Sequence, residues 1–193
     1  FGRWDVIAGQ PNPAPDLPYV THVWHYAQGM AAVRQRRLED ADGHLAAMRG
    51  LLAQPTFESM LVWDRYPLSL AAAVAERTVT AEIALARGDQ ATALGALQEA
   101  VAIEDRIPYD EPPGWHAPVR QTLGAVLLES GKPAEAEAVY REELRRNPEN
   151  GWSLKGLALS LVAQRRAPEA REIEERLAAA WRNADVEIAS SRL

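Results

Sequence analysis

The stretch "GKPAEAEAVYREELRRNPENGW", residues 131–152, decides the reading of this chain. Gly131 marks a turn, and Pro133 stands where the first turn of a helix tolerates a proline, because the missing N–H would have no partner there. A run rich in Ala, Glu and Arg follows, with apolar residues at helical spacing. Pro148 then closes it. The phrase describes the second half of a helix hairpin, and its meaning depends on whether it recurs.

It does. Two helices of a hairpin cross closely only where neither carries bulk, so small residues should mark equivalent crossings. Gly124 is followed twelve residues later by Ala136, and Ala158 by Ala170 at the same interval. Gly124 to Ala158 and Ala136 to Ala170 are each 34 residues apart, and the twelve-residue pairing returns upstream as Ala81 with Ala93 and Gly29 with Ala41. Leu123 and Leu157 precede the first small residue, Gly88 and Gly131 follow it at the turn, and Tyr140 follows the second small residue by four. Prolines 11, 13 and 15, 55, 67, 108, 112 and 113, and 168 punctuate the rest, while strand-like alternation of Val, Ile and Thr is absent. The expected fold class is all-α.

This pattern resembles the tetratricopeptide repeat family, whose signature is a Leu-Gly pair, a later Ala, an aromatic and a closing Pro at a 34-residue period. The match is strongest over 117–182. The resemblance implies an α-solenoid of antiparallel helix hairpins, a right-handed superhelix, with units over approximately 22–55, 74–107, 117–150 and 151–183. Gln28 and Thr80 replace the family's Leu, and Arg36 and Arg165 stand in for the turn glycine. Two insertions, at about 56–73 and 108–116, break the period, and a non-helical tail covers 184–193. Gly2-Arg3-Trp4 reads like Gly131-Lys132-Pro133, which makes residues 1–15 a half unit anchored by Trp4. A hairpin needs stacked neighbours to bury its apolar face, so the expectation is a longer array whose upstream repeats are one partner of this segment, the alternative being a helix that caps the domain by itself. The layout as a whole is similar to bacterial tetratricopeptide proteins of unassigned role.

Composition narrows the function. A formal net charge of −6 argues against a nucleic-acid partner, because affinity for phosphates rests on many Lys and Arg. The chain has no cysteine, which removes disulfides, thiol nucleophiles and thiolate metal sites together. No run approaches the ~18 apolar residues of a membrane span. The first residues lack the pattern of a signal peptide, yet Phe1 leaves room for a removed leader, so cytoplasm and periplasm both stay open.

In the family, the first helix of each hairpin lines the concave face, which suits extended peptides or partner helices. The resemblance carries the groove positions onto Tyr26 and Met30, Thr78 and Glu82, Gln121 and Ala125, and Lys155 and Leu159, with Trp152 beside Lys155. Members that grip the acidic C-terminus of a chaperone need several convergent cationic or amide donors there. Here Lys155 stands nearly alone beside Glu82, so that activity is not expected. The loop "PYDEPPGWH", residues 108–116, gathers Tyr109, Asp110, Glu111, Trp115 and His116 where a plain array spends no residues. Two readings stand: a stiffened connection in which Trp115 plugs the next hairpin, or a cover over the groove whose carboxylates meet Arg120.

Chemistry is sparse. His22 and His25 are three apart on one predicted helix and could reach a common metal, without a visible third ligand. Glycine-rich phosphate loops and serine nucleophile elbows are absent. Carboxylate pairs such as Glu142 with Glu143 and Glu174 with Glu175 read as solvated helix faces. The expected function is a non-enzymatic interaction scaffold without cofactors, binding a protein or peptide. The alternative is a small-molecule or metal-binding domain built on His22, His25 and the 109–116 loop.

Overall fold

The computed structural model describes residues 2–13 and 16–192. Phe1, Ala14, Pro15 and Leu193, which belong to the expected half unit and tail, lie outside the described residues. The chain divides after His116 into two compact units. Both are built of helix hairpins, and among the described residues the fold is all-α apart from one very short β-hairpin. No helix among the described residues is long and apolar enough to cross a membrane.

The first unit runs α1 (Trp4–Ala8), α2 (Pro18–Arg34), α3 (Leu38–Leu52), α4 (Pro55–Ser59), β1 (Leu61–Val62), β2 (Tyr66–Pro67), α5 (Ser69–Ala86) and α6 (Gln90–Glu104). Short turns fold α2 back on α3 and α5 back on α6; α5 also packs on both α2 and α3, and α1 packs on α2. The second unit runs α7 (Val119–Glu129), α8 (Pro133–Arg146), α9 (Gly151–Ala163) and α10 (Ala167–Ala180). Here α7 pairs with α8, α8 with α9, and α9 with α10.

The four hairpin turns share one backbone solution. Arg36, Gly88, Gly131 and Arg165 all have positive φ, at 61, 81, 73 and 61°. In each turn the next amide reaches back five residues to a helix carbonyl: Arg37 to Ala32, Asp89 to Ala84, Lys132 to Leu127 and Arg166 to Leu161, at 2.9–3.0 Å. This is the glycine-type helix stop that satisfies the last carbonyls of a helix. Arg36 and Arg165 therefore do occupy the place of a turn glycine, in a conformation that L side chains adopt at a cost. Two residues past the turn, the second helix begins at Leu38, Gln90, Pro133 and Ala167. Gly2, with φ of 73°, precedes α1 by the same offset.

Entry into the first helices varies. Pro18 opens α2. Asn150 caps α9 by accepting from the amides of Trp152 and Ser153 at 3.1 and 3.3 Å. Asp89 does the same for the second helix α6 through the amide of Thr92 at 3.0 Å.

The paired small residues sit at the centre of the packing. Ala41, Ala81, Ala93 and Ala136 are fully buried, and Ala158 and Ala170 nearly so. Gly124 has a further reason to be small. The Tyr140 ring, projecting from α8, lies against both Gly124 of α7 and Gly156 of α9, and a Cβ at either position would overlap it. Tyr140 is itself fully buried. Bulk excluded from the first helix thus admits an aromatic from the second.

The stretch expected as an insertion, 56–73, holds most of α4, the β-hairpin and the start of α5. Residues Leu61 and Val62 pair antiparallel with Pro67 and Tyr66 around a turn in which Trp63 and Asp64 have φ of 50 and 57°. Two-residue strands show no alternation, so the sequence pattern carried no sign of them. The helix expected from residue 74 begins at Ser69, because "SLAAAV" continues its apolar face one turn upstream.

Candidate functional site

In the first unit, Tyr26 and Met30 stand on α2, and Thr78 and Glu82 on α5. Thr78 is buried and returns its hydroxyl to the Val74 carbonyl at 2.8 Å. Glu82 is buried and takes a hydrogen bond from Arg34 at 2.9 Å. Arg34 in turn lies 5.8 Å above the ring of Trp4. Burial raises the Tyr26 phenol well above its usual value, Glu82 pushes the same way and Arg34 opposes them. It is a neutral hydroxyl.

The 108–116 loop covers this face. Trp115 is 7% exposed and meets the Tyr26 ring edge-to-face at 5.1 Å, and His116 meets it at 5.9 Å. Trp115 therefore plugs the α2 face of its own unit. Asp110 pairs with Arg65 of the β-hairpin at 3.5 Å, and the Tyr109 hydroxyl bonds to Glu111. A Cβ at Gly114 would run into the Tyr66 hydroxyl, which is why the loop can close here. Tyr109 itself is 79% exposed.

His22 and His25 do not converge. His22 is fully buried, packs its ring on Phe57 at 5.5 Å, and has no hydrogen-bond partner for either nitrogen. Burial, with His25 adding to it, lowers its pKa to about 4, so it is neutral. His25 instead places Nδ1 2.9 Å from Nδ1 of His44 on α3, with Trp24 edge-on to both rings. One neutral imidazole donates and the other accepts, and burial holds both below the ordinary histidine range. Among the described residues, no group of three or more His, Cys, Asp or Glu could hold a metal ion.

A shallow cleft of about 260 Å³ on the α3, α5 and α6 side is lined by Asp42, Arg49, Thr80, Arg87 and Thr92 among others. Its charges pair among neighbours, Asp42 with Arg87 at 2.5 Å and Arg49 with Glu76 at 2.7 Å. None of the residues expected at a site lines it.

In the second unit, Arg120 and Gln121 are buried on α7, and Trp152 and Lys155 are half-buried on α9. Gln121 donates to the cap residue Asn150 at 3.0 Å, tying α7 to the start of α9. Trp152 meets Trp181 edge-to-face at 5.9 Å. The Trp181 ring packs on Gly151, and its indole N–H donates to the Val186 carbonyl at 2.8 Å.

Three features add to the sequence reading, which gave the tail only as non-helical. The segment after α10 is irregular yet docked, with Ser191 3% exposed and bonded to Tyr140 at 2.6 Å. Trp63, at the β-hairpin tip, is 76% exposed. Glu143, read as part of a solvated pair with Glu142, is 1% exposed and accepts from Asn147 at 2.7 Å. Glu142 does face water, where Arg145 and Arg146 hold its carboxyl down at about 2. Two adjacent glutamates differ because consecutive helix positions lie about 100° apart, and one of them points inward.

Comparison with known proteins agrees with the repeat geometry. Cellulose synthase operon protein C of Xanthomonas axonopodis pv. citri (strain 306) is 40% identical over 102 residues, a stretch covering 53% of this chain and 6% of that protein. The chain therefore spans a small part of the relative it matches. No solved structure matches. The tetratricopeptide repeat family profile matches residues 122–185, which run from within α7 to just past α10. Residues 122–185, with two successive hairpins that share one turn, are thus similar to the tetratricopeptide repeat family over that stretch.

Proposed function

We propose that the chain is a non-enzymatic scaffold that holds a protein partner on the first helices of its hairpins. Tetratricopeptide repeats generally mediate protein–protein interaction and are generally non-catalytic. The observation that carries the reading is the pair of hairpins α7–α8 and α9–α10, which leave Trp152 and Lys155 half-buried on α9. A half-exposed tryptophan beside a cation is the composition of an interface anchor. In the first unit the corresponding positions Tyr26 and Glu82 are engaged by Trp115 and Arg34.

The relative's name ties it to a cellulose synthase operon, and on this reading the partner is another protein of a bacterial cellulose-producing apparatus. Capture from a lysate of cellulose-producing bacteria tests it, with a Trp152→Ala/Lys155→Glu variant of unchanged helicity as control. The expected result is a protein retained by the wild type and lost with the variant. Retention of the same proteins by both forms would contradict the proposal.

A further inference from the structure

Residues 184–192 show what the second unit can hold. The segment has no helix or strand, yet four contacts fix it to the repeat. The Trp181 indole N–H donates to the Val186 carbonyl at 2.8 Å. Ser191 donates to the main-chain carbonyl of Gln121 at 2.8 Å and is free to accept from the Tyr140 hydroxyl at 2.6 Å. Arg192 lays Nε on one oxygen of Glu129 and a terminal nitrogen on the other, both at 3.2 Å. Residues 184–187, Val186 included, are exposed, and the burial is concentrated at Ser191.

The receiving groups stand on the repeat helices, Glu129 on α7 and Tyr140 on α8. Tyr140 reaches its hydroxyl between α7 and α9 because Gly124 and Gly156 leave room for its ring, and burial pushes its pKa up to about 12, so it remains a donor. Glu129, half-exposed at the end of α7, offers a carboxylate in the two-point geometry that suits a guanidinium. A hydroxyl followed directly by a guanidinium is thus read by two separate elements.

From this we infer that the α7 side of the second unit is a docking surface for an extended peptide bearing a Ser-Arg or Thr-Arg pair. The chain's own 184–192 segment holds it as an internal stand-in that a partner displaces. The inference rests on the scaffold reading and adds the chemistry of the partner.

A labelled peptide of sequence ADVEIASSR, residues 184–192, supplied to the full chain in fluorescence-anisotropy titrations, tests it. Wild-type protein should bind it at least tenfold more weakly than an Arg192→Glu variant, whose own segment is released. Adding Glu129→Lys to that variant should cost at least tenfold, and a peptide carrying Arg192→Glu should recover the loss. Circular dichroism melts confirm that each variant is folded. Overturning results are absence of binding to the folded Arg192→Glu variant, or binding indifferent to Glu129→Lys. A concentration-dependent dimer of the wild type that Arg192→Glu abolishes would also overturn it, because the occupant would then be a second copy. If the peptide fails while the Trp152→Ala/Lys155→Glu control still loses a captured protein, the docking chemistry falls and the scaffold reading stands.

Discussion

The Tyr140 hydroxyl lies 2.6 Å from Ser191 Oγ, across 51 residues of chain, and both residues are buried. The contact joins the second helix of one hairpin to the irregular segment beyond the next, so part of the order of 184–192 rests on one phenol. Tyr140→Phe keeps the ring and removes the bond. The expected cost is about 1 kcal/mol, with faster amide exchange confined to the 184–192 segment. Tyr140→Ala opens a cavity as well and should cost ~3–5 kcal/mol. Chemical denaturation and hydrogen–deuterium exchange read both effects.

Glycines on the helices should divide by what they face. A Cβ at Gly124 or Gly156 meets the Tyr140 ring, whereas Gly43 and Gly95 have nothing within 4 Å of a Cβ. Gly124→Ala and Gly156→Ala are expected to lose roughly 1–3 kcal/mol through overpacking. Gly43→Ala and Gly95→Ala should gain up to about 1 kcal/mol from helix propensity. Thermal melts of the four variants check the opposite signs.

The two arginines in glycine places carry a backbone cost. Arg36 and Arg165 have φ of 61°, the same region as Gly88 and Gly131. Replacing either by glycine should raise stability by roughly 1 kcal/mol, since an L residue is disfavoured there by about that amount. The same replacement at Lys132, one residue past a turn, lacks this benefit and should be neutral or destabilising. Urea midpoints at constant slope separate the cases.

His22 makes the fold sensitive to acid. Its folded pKa of about 4 lies below the ordinary 6.5, so the folded chain binds fewer protons than the unfolded chain between those values. Its share of stability is full above pH 6.5 and is lost progressively as pH falls towards 4, by ~3 kcal/mol at most. His22→Leu also removes two buried nitrogens without partners, and should stabilise the chain at pH 7 by about 1–2 kcal/mol. Stability measured from pH 4 to 8 should fall less steeply in the variant.

Much of the fold could be read from spacing because small residues obey a strict geometric demand. Ala81 with Ala93 and Ala136 with Gly124 mark packed crossings, and Pro133 marks a helix start; each is a local signal with one physical meaning. Arg36 and Arg165 are legible as turn residues only through their register, since nothing about arginine favours positive φ. The candidate site was harder. Tyr26 lay where the first-helix face was expected, but its partner Trp115 comes from a loop whose path depends on Gly114 fitting beneath Tyr66, a long-range condition without periodicity. His25 found His44, nineteen residues on, instead of His22 on its own helix. Ser191 carried no signal at all, because a hydroxyl in an irregular segment becomes informative only when its acceptor is in view.

The most direct measurement places a photo-crosslinking amino acid at Lys155 on α9, and separately at Arg171, exposed on α10, in bacteria that make cellulose. If the first helices of the hairpins hold the partner, a discrete crosslinked protein forms from position 155 and not from position 171. Crosslinking from position 171 alone would contradict it and move the binding face to the second helices.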